Sequence, residues 1–237
     1  MAVRHCLVLA LMTAPAAAGA QTVPVTDPGR PPVIRPVEAA AFLGAIAIAA
    51  AFDGTVRRHA QADRTPGRNR AAQFGNAFGN LTYTGPLLAA GWLAGEVAHS
   101  PALARASYRA LEAAVVAGAI TGVIKFGLGR VRPRDGGNPG RFHPFTSNVS
   151  FPSGHTTVAM AVATSLALST PDHWSDVLFY TAAALTGFAR INDNQHWLSD
   201  VVAAGAIGYL TGRQLNGRRG RFRPLASTGL IGVSATF

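Results

Sequence analysis

Long Ala- and Gly-rich stretches, in which apolar and polar residues never alternate for long, most limit what this chain can fold into. A half-buried strand needs alternation with a period of two. Stretches of helical composition instead occupy 38–52, 71–95, 102–128, 153–168, 175–190 and 198–215. Glycines and Pro86 interrupt the second. Between the stretches, 57–70 and 133–152 are rich in Arg, Gly, Pro and Asn and read as loops. No internal repeat or linker divides the chain. The expectation is an all-α fold, a single bundle of about six helices over residues 37–215.

Composition then narrows the function. Charged residues make up 14% of the 237, against roughly 25% in an average soluble domain. Apolar residues make up 49%, which excludes an intrinsically disordered chain. A single cysteine, Cys6, excludes a disulfide scaffold. The net charge of +10 calls for an anionic partner: nucleic acid, anionic lipid or a phosphorylated substrate. No nucleic-acid motif or basic-aromatic pattern supports the first.

Residues 1–20 read as a secretory signal. Arg4 and His5 are followed by an apolar run, and Ala18-Gly19-Ala20 has the small-x-small form of a cleavage site. Residues 21–36, with five prolines, read as an extended arm. Residues 216–237 read as a basic C-terminal tail, with a short extended segment at 230–237. The uncharged runs within the helices are short: 39–52, 113–124 and 201–212. A bilayer span needs about 20 apolar residues, and alanine favours insertion less than Leu, Ile or Phe. These runs put a soluble or peripheral periplasmic protein first. An inner-membrane protein with its site facing the periplasm is the alternative.

Chemistry concentrates in residues 125–200. Lys125 and Arg132 are seven apart, two helical turns, and point the same way near a helix end that Pro133 closes. Two cations beside a Pro/Gly-rich loop suit a bound oxyanion, or simply complement the helix dipole. Ser153-Gly154-His155 precedes an apolar helix. Ser153 is placed to cap it, free N–H groups make an anion cradle, and His155 can exchange a proton with the bound group. His196 and Asp200 are four apart and can face each other on one helix. A carboxylate on one ring nitrogen leaves the other free as base or nucleophile. Arg190 brings a planar, bidentate oxyanion donor from the preceding helix end. Each cluster alone also reads as an ordinary helix terminus or surface pair. Together they supply three cations, an anion cradle, two histidines and a carboxylate. They lack the carboxylate set of a metal-dependent phosphatase, which points to metal-free phosphoryl transfer.

In this order, Lys125…Arg132-Pro133, Pro152-Ser153-Gly154-His155 and Arg190…His196…Asp200 resemble the three signature segments of the type 2 phosphatidic acid phosphatase and vanadium haloperoxidase superfamily. That superfamily includes the bacterial class A acid phosphatases. One fixed position departs from the pattern: Ala189 stands where the family usually has Ser. The resemblance implies a helical bundle with the active site at one end. It implies that His196 attacks phosphorus and forms a phosphohistidine, that Asp200 orients His196, and that His155 protonates the leaving group. Lys125, Arg132, Ser153, Gly154 and Arg190 would bind the phosphate oxygens. No metal or other cofactor is implied; vanadate is expected as an inhibitor.

The expected activity is metal-independent hydrolysis of phosphomonoesters, lipid or soluble. A vanadate-dependent haloperoxidase, with vanadate as prosthetic group, and an isoprenoid or lipid pyrophosphate phosphatase are the alternatives. The expected partner is a phosphorylated small molecule or lipid phosphate, with membrane association possible and the oligomeric state open. Arg134 and Asp135 lie close enough in sequence to contact substrate. Selectivity is expected in loops at 53–75 and 134–151.

Overall fold

The computed structural model describes residues 34–217 and the backbone of 222–224 and 233–235. The expected signal at 1–20 and nearly all of the arm at 21–36 lie outside the described residues, as does most of the tail at 216–237. Eight helices run through the described residues: α1 (Pro36–Ala62), α2 (Pro66–Gly79), α3 (Leu81–Val97), α4 (Pro101–Leu128), α5 (Pro133–Gly136), α6 (Gly154–Ala167), α7 (His173–Asn192) and α8 (Leu198–Gly217). Two three-residue strands, β1 (Phe222–Pro224) and β2 (Val233–Ala235), pair antiparallel. The fold is all-α, with eight helices rather than about six.

Local chemistry explains the differences. The segment 57–70 is not a loop: α1 runs on to Ala62 and Pro66 opens α2. Proline fits the first helical position because its missing N–H has no partner there anyway. Thr65 caps α2 by accepting the N–H of Arg68 at 3.2 Å. The expected helix over 71–95 divides at Asn80, which ends α2 and caps α3 through Thr82 N–H at 3.0 Å. Pro86 sits inside α3 without ending it. Pro133 opens the one-turn α5 instead of closing a longer helix.

The core is built of small residues. Ala110, Ala113, Ala114 and Ala117 line one face of α4 and are fully buried. They pack against Val158, Ala161 and Val162 of α6, with Leu88 of α3 alongside. α6 is the central helix, flanked by α4, α7 and α8. Small side chains let the helix backbones approach closely, and many weak dispersion contacts accumulate there. Gly208 of α8 shows how close: a Cβ there would lie 2.5 Å from the carbonyl oxygen of Thr157.

The outer helices differ from the core. α1 has 27 residues and α4 has 28, both much longer than their uncharged runs, because flanking polar residues stay helical. Among the described residues these two are long and apolar enough to cross a membrane. Only 11% of the apolar stretch of α1 and 22% of that of α4 are buried. Leu43, Ile48 and Phe52 of α1 and Val123 and Phe126 of α4 face outward.

Candidate active site

The three sequence clusters converge at the N-terminal end of α6. Lys125, in the last turn of α4, donates to the carbonyl oxygens of Val149 and Ser150. Its Cε would lie 3.6 Å from a Cβ on Gly154. The N–H of Ser153 donates to the Asp200 carbonyl at 3.1 Å, fastening the start of α6 to the first turn of α8. After α7, the carbonyl of Arg190 accepts the N–H groups of Gln195 (3.0 Å) and His196 (3.2 Å). Asn194 makes that turn with φ +56°, a left-handed conformation that Asn tolerates better than most residues. The guanidinium of Arg132 donates to the side chain of Gln195, next to His196. His155 lies in the first turn of α6, with Lys125, Arg132 and Arg190 as its neighbouring cations. Thus Lys125, Arg132, Ser153, Gly154, His155, Arg190, His196 and Asp200 come together.

Two local expectations fail. Lys125 and Arg132 are not on one helical face, because α4 ends at Leu128. Gly129 turns the chain at φ +58°, and a Cβ there would meet the His143 carbonyl oxygen at 1.7 Å. Only glycine fits this combination of conformation and close approach. Ser153 stands at the N-cap of α6 but its side chain makes no capping bond. Its Oγ pairs with Thr156 Oγ1 at 3.0 Å instead.

His196 and Asp200 form the centre. Nδ1 of His196 lies 3.5 Å from Oδ2 of Asp200, and both side chains are buried. Asp200 Oδ2 also accepts Ser150 Oγ at 2.6 Å and the Trp197 N–H at 2.9 Å. The Trp197 bond is the reach of an acid in a helix's first turn back to its N-cap. Burial pushes the His196 pKa down to about 4, against the pull of Asp200 and with the help of Lys125 and Arg190. The ring is therefore neutral at physiological pH, and Nε2 is left free of the carboxylate.

Arg190 donates Nη1 to Asn76 Oδ1 at 2.6 Å, while its buried Nε has no hydrogen-bond partner. Buried donors are almost always paired, so this one suits an acceptor from outside the chain. Desolvation and neighbouring positive charge lower the pKa of Arg132 from its ordinary value. Such a cluster gains from a bound anion.

Residues 107–217, which carry all three clusters, match the PAP2 superfamily. The chain carries a PAP2 superfamily domain. It is 40% identical over 97 residues to a lipid A 1-phosphatase of Porphyromonas gingivalis, covering 40% of this chain and 20% of that protein. It is 30% identical over 95 residues to an undecaprenyl-diphosphatase of Sulfolobus acidocaldarius, covering 40% and 46%. The chain thus spans less than half the length of these relatives. Among solved structures it is similar to a transmembrane PAP2 type phosphatidylglycerolphosphate phosphatase from Bacillus subtilis. That likeness has a TM-score of 0.61 at 22% identity and covers 81% of this chain and all of the other.

Around the PAP2 signature residues the structure adds others that sequence reading missed. Ser150, Asn76 and Gln195 hold Asp200, Arg190 and Arg132 respectively. No spacing rule marks them. Arg130 and Asp53 were detectable: one lies inside the first motif, and the other is the acid that ends the uncharged run 39–52. Arg134 and Asp135, on α5, form an exposed 3.3 Å ion pair with each other. Trp197 is buried, with Nε1 donating to the Val131 carbonyl at 3.0 Å, and so packs rather than faces solvent.

Proposed function

We propose that the protein is a phosphatase that passes the phosphoryl group of a phosphomonoester to His196 and then to water. One observation carries this reading: a buried, neutral imidazole faces a carboxylate at 3.5 Å, with Lys125, Arg132 and Arg190 gathered around it. Nδ1 faces Asp200, so Nε2 is the attacking atom. In the first step the Nε2–P bond forms and the ester P–O bond breaks. The leaving alkoxide takes a proton from His155. In the second step water attacks phosphorus, its proton goes to His155, and the N–P bond breaks to release phosphate. Asp200 stabilises the positive charge on the ring while phosphorus is attached. Lys125, Arg132, Arg190, the Ser153 hydroxyl and the Gly154 N–H hold the non-bridging oxygens. Positioning and charge stabilisation carry most of the catalysis in phosphoryl transfer. The proposed steps use no metal.

The preferred substrate class is a lipid phosphate, presented at a membrane. Apolar outer faces on α1 and α4 support this, since a soluble core helix would be mostly buried. The longer helices favour the inner-membrane alternative over a soluble enzyme.

The test is phosphate release from a short-chain phosphatidate in detergent micelles and from p-nitrophenyl phosphate, both with excess EDTA. The reading expects release that vanadate blocks and that His196→Ala reduces by on the order of a thousandfold or more. Equal release by wild type and His196→Ala would overturn it. Release from p-nitrophenyl phosphate alone would move the substrate class to soluble esters.

A further inference from the structure

We infer that Arg130 and Asp53 are positioning residues that hold Asp200, and through it His196, in the geometry for attack; this rests on the phosphatase reading above. Arg130 follows Gly129 and its side chain is buried between two carboxylates. Nη1 donates to Asp200 Oδ1 at 2.5 Å and to Ser199 Oγ at 2.8 Å. Nη2 donates to Asp53 Oδ2 at 2.7 Å. Nε and Nη2 also donate to the Pro139 carbonyl at 2.9 and 2.7 Å. Asp53, from α1, closes the network by accepting the Ser199 N–H at 2.8 Å and the Ser199 hydroxyl at 2.7 Å.

The arrangement has two consequences. First, Asp200 Oδ1 is taken by Arg130, which fixes the carboxylate so that Oδ2 faces His196. A guanidinium is a planar fork, so its orientation transmits to both carboxylates. Second, the network holds two carboxylates and one guanidinium. One negative charge is left over, beside the ring that becomes positive when phosphorus is attached. Asp53 lies outside residues 107–217, the part of the chain that matches the PAP2 superfamily. This chain's own α1 thus completes the support of the Asp200 carboxylate. A buried carboxylate in an apolar helix is costly unless paired, which is consistent with a retained role.

The effect belongs to kcat. Phosphate oxygens are held by other residues, whereas the contact from Asp200 to His196 strengthens only as charge develops in the transition state. The test compares Asp53→Asn with wild type and His196→Ala in detergent, using p-nitrophenyl phosphate, with the folded fraction followed by circular dichroism. Expected is a fall in kcat of about 10- to 100-fold per folded molecule, with KM unchanged within about twofold. Wild-type kcat in folded Asp53→Asn, with His196→Ala inactive, would overturn the inference and leave the phosphatase reading standing. Activity in His196→Ala would instead overturn that reading. Should Asp53→Asn fail to fold, Arg130→Ala with millimolar guanidinium replaces it. A cavity of about 580 Å³ beside Arg130, bounded also by Asp53, Ser199 and Phe142, gives the cation access. A rise in kcat with added guanidinium, and none with added ammonium, supports positioning by a planar fork; a flat response overturns it.

Discussion

α1 and α6 are both apolar, Ala-rich helices, and they have opposite surroundings. Ten of the 14 residues of α6 are buried, against two of the 27 of α1. α6 has neighbours on three sides, and its small residues let α4 and α8 close onto it. α1 packs mainly on α8 and turns Leu43, Ile48 and Phe52 outward. Of its two buried residues, Asp53 points into the charged network under the site. Apolarity means packing in one helix and an outer face in the other. What separates them is the size of the side chains: small ones admit another backbone, large ones do not.

The largest expected effect comes from adding bulk where the inner helix is tightest. Gly208→Val puts carbon 2.5 Å from the Thr157 carbonyl and 2.8 Å from Met160 Cβ. A loss of at least about 3 kcal/mol is expected from overpacking, read by thermal or denaturant unfolding in detergent. Wild-type stability would show that α6 and α8 are not in close contact. Removing bulk from α6 itself costs less. Val162→Ala should lose about 1–3 kcal/mol, since a buried valine leaves a gap its neighbours fill only in part.

Burial also separates two histidines, His196 inside and His173 fully exposed at the start of α7. In the proposed mechanism His196 attacks only when neutral, and its pKa is lowered to about 4 from 6.5. Neutral ring is therefore lost as pH falls through about 4, not through 6.5. The acid limb of kcat/KM should therefore lie near pH 4, with a drop of about tenfold per unit below it. An acid limb near 6.5 would show that His196 is solvated. The smallest effect belongs to the outer helix. Ile48→Ala on α1 should change stability in detergent by no more than about 0.5 kcal/mol, measured beside Val162→Ala. A cost equal to that of Val162→Ala would mean that α1 is covered by protein.

Much of the fold was legible because helical composition and missing alternation are local properties. That the eight candidate residues would gather in one place was legible too, since each motif keeps its members within a few residues. His196 and Asp200 show this best: a spacing of four brings them together almost wherever a helix starts nearby. Helix ends were less legible. The reading of 57–70 as a loop missed that Arg57 and Arg58 continue α1, because arginine is as good a helix former as most apolar residues. Likewise the count of uncharged residues understated the lengths of α1 and α4, and with them the case for a membrane. Asn80 divided one expected helix in two by a side-chain bond that composition does not reveal.

Taken by itself, then, the sequence determined the all-α class, the order of the three clusters and the identity of the residues that gather at the start of α6. These depend on residue type and short spacing, which a linear chain carries. Tertiary structure alone decided which apolar helices lie inside, that Arg132 reaches the site from beyond the end of α4, and that Asp53 and Arg130 support Asp200. Asp53 and Asp200 are 147 positions apart, and only the packing of α1 on α8 brings them to one guanidinium. Such a contact is fixed by the summed fit of whole helices, which no single residue's neighbours in sequence encode.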